Sequence, residues 1–280
     1  MNNTVTAKTT VASLADLWVR QLRTEGRLDG TTINEYERVL RDLVIPSLGA
    51  ASISHLTTSR IDQVLVELGI QSLNRQRKAK VILGAMLDTA VDTGALLVNP
   101  VRGSLSISRP TPDHRSLTIA EIESVRAALR AWLDKARPGP KSSGDIADII
   151  EVMLATGARI GEVLALRWAD IDLGARVIEV NATIKTESGI GTYRKSLARP
   201  RLVALPEGAA LILRARRRAT PDNLLDAVFP TRNATWQQVN NVERRWRQIR
   251  REAGLEWITP DAFRRSPGER MPSRRTTPEC

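Results

Sequence analysis

A chain of 280 residues, 42% hydrophobic and 26% charged, is long enough for two ordinary domains and too apolar for a disordered or fibrous protein. Its single cysteine is Cys280 and its only histidines are His55 and His114, which excludes a disulfide framework, a cysteine-based zinc site and a histidine-rich metal centre. The formal charge of +11 points to a polyanionic partner, and residues 185–275, with 20 basic and 9 acidic side chains, supply all of it, whereas residues 1–100 carry 11 and 10.

The first ten residues are polar, with no apolar core of signal-peptide type. The longest apolar stretch, Leu83 to Val98, is interrupted by Asp88 and Asp92, so no membrane span is expected and a cytoplasmic location is the default. Residues 11–27 place Val11, Leu14, Leu17, Trp18 and Leu22 on one helical stripe. A second helix fits Thr31 to Val44, with Ile33, Tyr36, Leu40 and Leu43 inward and Pro46 and Gly49 as its stop. A third starts near Thr57, and a fourth runs from about Leu73 to Thr93 with Val81, Ile82, Ala85, Met86 and Val91 apolar. Four helices on short connections make an all-α bundle over residues 8–100.

Asn99-Pro100 then stops the last helix, and residues 101–117, rich in Ser, Pro and Thr, read as an exposed linker. A second domain opens at Thr118-Ile-Ala-Glu121, which has the spacing of a capping box, followed by a helix to about Leu133. A Pro/Gly/Ser loop from Pro138 to Gly144 precedes helices over Asp145–Ala155 and Ile160–Leu166. Residues Val177 to Ile184 alternate as a strand, and a polar loop with Gly189 and Gly191 separates them from a second strand, Leu202 to Leu205. Further helices fit Glu207–Ala219 and Thr235–Ala253, so the second domain is α+β: mainly helical, with a small antiparallel sheet.

The most informative run is Ala155-Thr-Gly-Ala-Arg159-Ile-Gly-Glu162, continuing to Leu166, Trp168, Asp170, Ile171 and Asp172. Gly157 breaks one helix and lets the next begin at a sharp angle, leaving Arg159 at the elbow with Glu162 three residues on to hold its guanidinium. An arbitrary pair at that spacing is an ordinary surface ion pair. The whole string, however, resembles the motif of tyrosine recombinases, the phage integrase family, which opens their catalytic domain. The resemblance implies that Arg159 is the first of two arginines binding the scissile phosphate.

Later markers are similar to the same family. Arg201-Leu-Val-Ala-Leu-Pro206 closes a segment like the family's hairpin, whose basic turn carries a catalytic lysine; Lys195 matches that position best, with Lys185 as the alternative and a solvated lysine as the bland reading. Val228-Phe-Pro230 looks like the family's phrase before its penultimate helices. Ile258-Thr-Pro-Asp261-Ala-Phe-Arg264 aligns Arg264 with the second phosphate-binding arginine, but places Asp261 where the family has histidine. A carboxylate there does not donate a proton at neutral pH, and its charge repels phosphate.

Beyond Arg265 the resemblance ends. Pro267, Gly268, Pro272 and Pro278 break any helix, and residues 266–280 read as an aberrant, disordered tail produced by a frameshift or early stop. The family's nucleophilic tyrosine follows the second arginine by roughly thirty-odd residues, farther than the sixteen that remain after Arg264; of the two tyrosines present, Tyr36 reads as core and Tyr193 lies in the hairpin. The resemblance implies a recombinase catalytic domain over 118–265, incomplete at its C-terminus, behind a SAM-like core-binding bundle. It also implies duplex DNA as partner, a homo-oligomer on DNA, no membrane, and chemistry without metal or cofactor through a 3′-phosphotyrosyl intermediate. The arginine-dense helix with Arg244, Arg245, Arg247, Arg250 and Arg251 reads either as a face contacting DNA backbone or as a solvated charged face. The expected function is site-specific DNA recombination or integration, in a chain that binds DNA and does not cut it. The alternatives are a non-catalytic remnant or competitor at recombination sites and, less well supported, a helical transcription regulator.

Overall fold

The chain divides into two units, Met1–Thr111 and Pro112–Cys280, each built on its own apolar core. The computed structural model describes residues 5–108, 115–135, 145–187 and 189–266. The loop read at Pro138–Gly144, the middle of the expected linker and the tail beyond Ser266 lie outside those residues.

In the first unit, α1 (Val11–Glu25) starts where the Thr10 hydroxyl accepts from the Ser13 N–H at 3.2 Å, and it ends at Gly26 with φ 63°. Its buried stripe is Val11, Leu14, Ala15, Trp18 and Val19, and Trp18 stacks on Tyr36 of α2 (Gly30–Val39) at 5.6 Å between centroids. Of the two expected stops, Gly49 does cap the helix, but Pro46 does not end it. The helix widens into a π turn at Leu40–Val44 and continues as α3 (Ile45–Leu48). A proline lacks its N–H and its ring collides with the carbonyl four residues back, and the wider turn accommodates both defects.

Thr57 caps α4 (Thr58–Gln71), and α5 (Leu73–Asp92) buries Ala79, Ile82, Leu83, Met86, Leu87 and Ala90. Val81, one of the apolar residues of this helix, is 67% exposed. The expected linker also starts later than residue 101. Val101 is buried in the first core, Lys80 donates to the carbonyls of Ser104 and Leu105, and the Leu105 N–H donates to Asp62 at 2.8 Å. At the other end Leu117 is buried in the second core.

The second unit opens on α6 (Ile119–Asp134) with the expected capping box: the Thr118 hydroxyl accepts from Glu121 N–H and Glu121 accepts from Thr118 N–H. Helices α7 (Asp145–Thr156) and α8 (Ile160–Leu164) follow, then a three-stranded antiparallel sheet in the order β1 (Ile171–Asp172), β2 (Val177–Glu187), β3 (Gly191–Ala204). The ladder between β2 and β3 runs from Val177 opposite Ala204 to Glu187 opposite Gly191, with an irregularity between Val180 and Ala182. Residues 191–201, read as mostly loop, are therefore strand. No residue of β3 is fully buried, so the apolar alternation that marks a half-buried strand is missing from its sequence.

Helices α9 (Glu207–Ala219), α10 (Val239–Glu252) and α11 (Pro260–Arg265) complete the unit. The core gathers Ile149, Ile150 and Met153 of α7, Ile178 and Val180 of β2, Leu213 of α9 and Trp246 of α10, the last edge-on to Phe263 of α11 at 5.2 Å. The fold is mainly helical with one small sheet, and among the described residues no helix is long and apolar enough to cross a membrane.

Candidate functional site

Helix α7 ends because Gly157 adopts φ 65°, a left-handed conformation that costs other residues energy, while its N–H still bonds the Met153 carbonyl at 2.9 Å. Thr156 secures the turn: its hydroxyl donates to Val152 and accepts from the Ala158 N–H. The chain then re-enters helix with Arg159 at the cap of α8, its side chain 63% exposed, and Glu162 in the first turn.

Glu162 is 3% exposed and holds the elbow together. It accepts from the Arg159 N–H at 2.8 Å, from Arg159 Nη1 at 3.2 Å and from Arg201 Nη2 of β3 at 2.7 Å. Burial alone would raise its pKa; the hydrogen bonds from Arg201 and from the Arg159 N–H more than offset this and hold it below the ordinary 4.5.

Arg264 reaches the same elbow from α11. Its Nε donates to the Gly157 carbonyl at 3.3 Å and its Nη1 to Asp261 at 3.1 Å. Arg159 and Arg264, 105 positions apart, line one cleft of about 410 Å³ together with Arg247 and Arg250 of α10 and with Glu243, Asp261, Thr259 and Pro260. Four guanidinium groups against two carboxylates leave the cleft cationic. Asp261, at the position where histidine was expected, is paired to Arg264, which offsets its repulsion of an anion.

Lys195 is placed differently from its expected turn, whereas Lys185 falls near the end of the preceding strand as expected. Lys195 lies within β3 opposite Thr183, and Lys185 lies in β2 opposite Tyr193. Neither lines the cleft. The β2 strand does approach α8 closely: a Cβ on Gly161 would come 2.7 Å from Thr183 Oγ1, so Lys195 is the ladder partner of a residue in contact with the helix that Arg159 caps. Tyr193 donates its hydroxyl to Glu187, and Tyr36 belongs to the first unit's core cluster.

The five arginines of α10 do not form one face. Successive residues of a helix turn by about 100°, so the buried stripe Val242, Trp246 and Ile249 takes one side and divides them. Arg244, Arg247 and Arg251 are exposed, whereas Arg245 and Arg250 flank the buried stripe. Arg245 donates to the buried Gln237 at 2.9 Å, and Arg250 donates to the Ile258 carbonyl at 3.0 Å, bracing the approach to Thr259. The sequence reading thus missed the partition of this helix, the entry of Arg247 and Arg250 into the cleft, and the attachment of Arg201 to Glu162. The helical angle alone separates Arg244, Arg247 and Arg251 from the other two; nothing local signals the rest.

The remaining residues of the Arg159 string are structural. Asp170 accepts from the Arg167 N–H, Asn181 and Arg194, tying the turn after α8 to the hairpin, and Asp172 accepts from the N–H groups of Gly174 and Ala175. Arg216 of α9, 8% exposed, donates to Asp145, Asp148 and the Val228 carbonyl, and its guanidinium lies over Phe229 at 4.3 Å. Val228-Phe-Pro230 is thereby fixed against α7 and α9.

Residues 115–276 match the model of the phage integrase family. A curated relative, a XerC-like tyrosine recombinase of Caldanaerobacter subterraneus subsp. tengcongensis, is 22% identical over 292 residues, covering 91% of this chain and 70% of its own. Among solved structures, the Tn1549 transposon integrase in complex with transposon right-end DNA superposes with a TM-score of 0.69 at 22% identity, over 91% of this chain and 84% of that one. A lambda integrase dimer bound to a COC′ core site gives 0.67 at 18% identity, over 91% and 68%.

Proposed function

The chain belongs to the phage integrase family of tyrosine recombinases, and from that premise we propose that its cationic cleft holds a phosphate of duplex DNA at a recombination site. The observation that carries this reading is the convergence of Arg159 and Arg264 on one cleft from helices α8 and α11. Attack on a phosphodiester builds negative charge on its non-bridging oxygens. Two guanidinium groups held in advance on a braced elbow stabilise that charge without reorganising. Arg159 is braced by Glu162, and Arg264 by the Gly157 carbonyl and Asp261. Arg247 adds a further exposed cation on the same side. Lys195 serves as the proton donor to the leaving oxygen, a role supported by its place beside the Thr183 contact with α8.

Strand exchange in this family also needs a tyrosine to take the phosphoryl group, and the sequence holds only Tyr36 and Tyr193. Tyr36 stacks on Trp18 and Tyr193 lies in the hairpin with its hydroxyl on Glu187; neither stands after the second arginine, where the family places its nucleophile, and the activity proposed for these 280 residues is therefore DNA binding without cleavage. The test has two parts. Affinity for a mixed-sequence duplex, read by fluorescence anisotropy, should fall about tenfold in Arg159→Ala and in Arg264→Ala, as for loss of one charged contact. A nicked suicide duplex should give no covalent protein–DNA band on a denaturing gel; such a band would make the chain a working enzyme. Unchanged affinity in both arginine variants would remove the cleft from DNA binding.

A further inference from the structure

Glu162 is a buried carboxylate serving two guanidinium groups. Arg201, on β3, bonds it at 2.7 Å, shorter than the 3.2 Å from the Arg159 side chain. Two cations on one anion leave a net charge of +1, and the more exposed partner, Arg159, carries it at the mouth of the cleft, with its side chain 63% exposed against 38% for Arg201. We propose that Arg201 is a positioning residue: by neutralising Glu162 from the β3 side, it leaves the charge of Arg159 available to a DNA phosphate. The inference rests on the reading of the cleft as a phosphate site.

The physical reason is the cost of an unpaired charge in a buried position. Without Arg201, the carboxylate keeps Arg159 as its one cationic partner among the described residues. Arg159 lies three residues away, at the cap of the same short helix, and its side chain already touches Glu162. Its guanidinium then closes onto the carboxylate as a neutral pair, and the phosphate loses a contact although nothing that touches DNA has been removed. Deleting the charge of Glu162 as well should reverse this. A glutamine at 162 still offers an amide oxygen to the Arg159 N–H, so the cap of α8 survives while the electrostatic trap disappears.

The experiment measures the affinity of the full chain for a short mixed-sequence duplex across a salt series, with thermal melting of every variant. Arg201→Gln should weaken binding about tenfold and lower the salt slope by about 0.9, the signature of one lost phosphate contact. Glu162→Gln/Arg201→Gln should return to within about threefold of the native affinity and regain the slope. A double variant as weak as Arg201→Gln means that Arg201 grips DNA itself, and overturns the proposal; so does native affinity in Arg201→Gln. If Arg201→Gln melts below the assay temperature, Arg201→Lys carries the test, since a retained charge requires affinity within about threefold of native, and a larger loss overturns the proposal. Native affinity in Arg159→Gln would instead sink the phosphate-site reading, a result distinguishable from failure of the Arg201 role.

Discussion

Arg264 Nε donates to the carbonyl oxygen of Gly157 at 3.3 Å, so the two arginine-bearing segments meet at a single peptide group. The geometry of that peptide depends on the φ of 65° that glycine permits. Gly157→Ala forces an L-residue into the left-handed region and should cost about 1–2 kcal/mol of stability. Because the same carbonyl anchors Arg264, the variant should also lose DNA affinity at temperatures where it is fully folded. Urea unfolding and anisotropy on one preparation check both; a stability loss with native affinity would show that the elbow tolerates a shift.

Arg216 predicts a different phenotype. It is 8% exposed, pairs with Asp145 and Asp148, and lies away from the cleft formed around Arg159. Burial pushes the Asp148 carboxyl above its ordinary value even against the pull of Arg216. Arg216→Ala removes the cation from two carboxylates and should destabilise the second unit by about 3–5 kcal/mol. The loss should appear as a lower urea midpoint, and DNA affinity should be unchanged wherever the variant is folded.

Helix α10 offers an internal control, since its arginines divide by angle. Arg244→Ala, Arg247→Ala and Arg251→Ala should each leave the melting temperature within about 2 °C, a surface-level change, and lower the salt slope of DNA binding by up to about 0.9. Arg245→Ala should do the reverse, because it deletes the bond to Gln237, and Arg250→Ala should lower both, because Arg250 holds the Ile258 carbonyl and also lines the cleft. Equal salt slopes for all five would contradict the division.

Glu162 sets an acid limit. Its folded pKa lies below the ordinary 4.5, so the folded state takes up its proton less readily than the unfolded chain. The stability it contributes is therefore fully present above about pH 4.5 and is lost as pH falls through the lower folded value. Urea midpoints taken from about pH 7 down to about pH 3 should drop less steeply in Glu162→Gln than in the native chain, from a lower starting plateau. A parallel pair of curves would remove Glu162 from the acid limb.

Much of this architecture is written locally. The capping box at Thr118 and Glu121, the helix break at Gly157 and the helix start at Thr57 depend on residues within one turn of each other, and all are legible in the sequence. Strand β3 is not, because a strand without buried positions has no alternation to display. Pro46 reads as a stop until the π turn before it is seen to absorb the defect. The linker ends misread for a similar reason: Val101 and Leu117 are single apolar residues in polar surroundings, and only the packed units draw them in. Within the site, the Arg159–Glu162 pair follows from spacing, and Arg264 follows from the family motif. Arg201 and Arg247 reach it through the sheet register and the helix angle, which are properties of tertiary structure.

The start of the second unit is stitched to its last described helix. The Ser116 hydroxyl donates to the Arg265 carbonyl at 2.6 Å, the Leu117 N–H donates to Ser266 Oγ at 3.1 Å, and that wholly buried hydroxyl donates in turn to Ala262. A fragment for expression that begins at Thr118 would strip these partners away and loosen the segment that presents Arg264. A fragment beginning ahead of Arg115 would keep them, along with the stacking of Arg115 on Trp257 at 3.6 Å. Where a shortened version is cut thus governs whether its second arginine arrives in place.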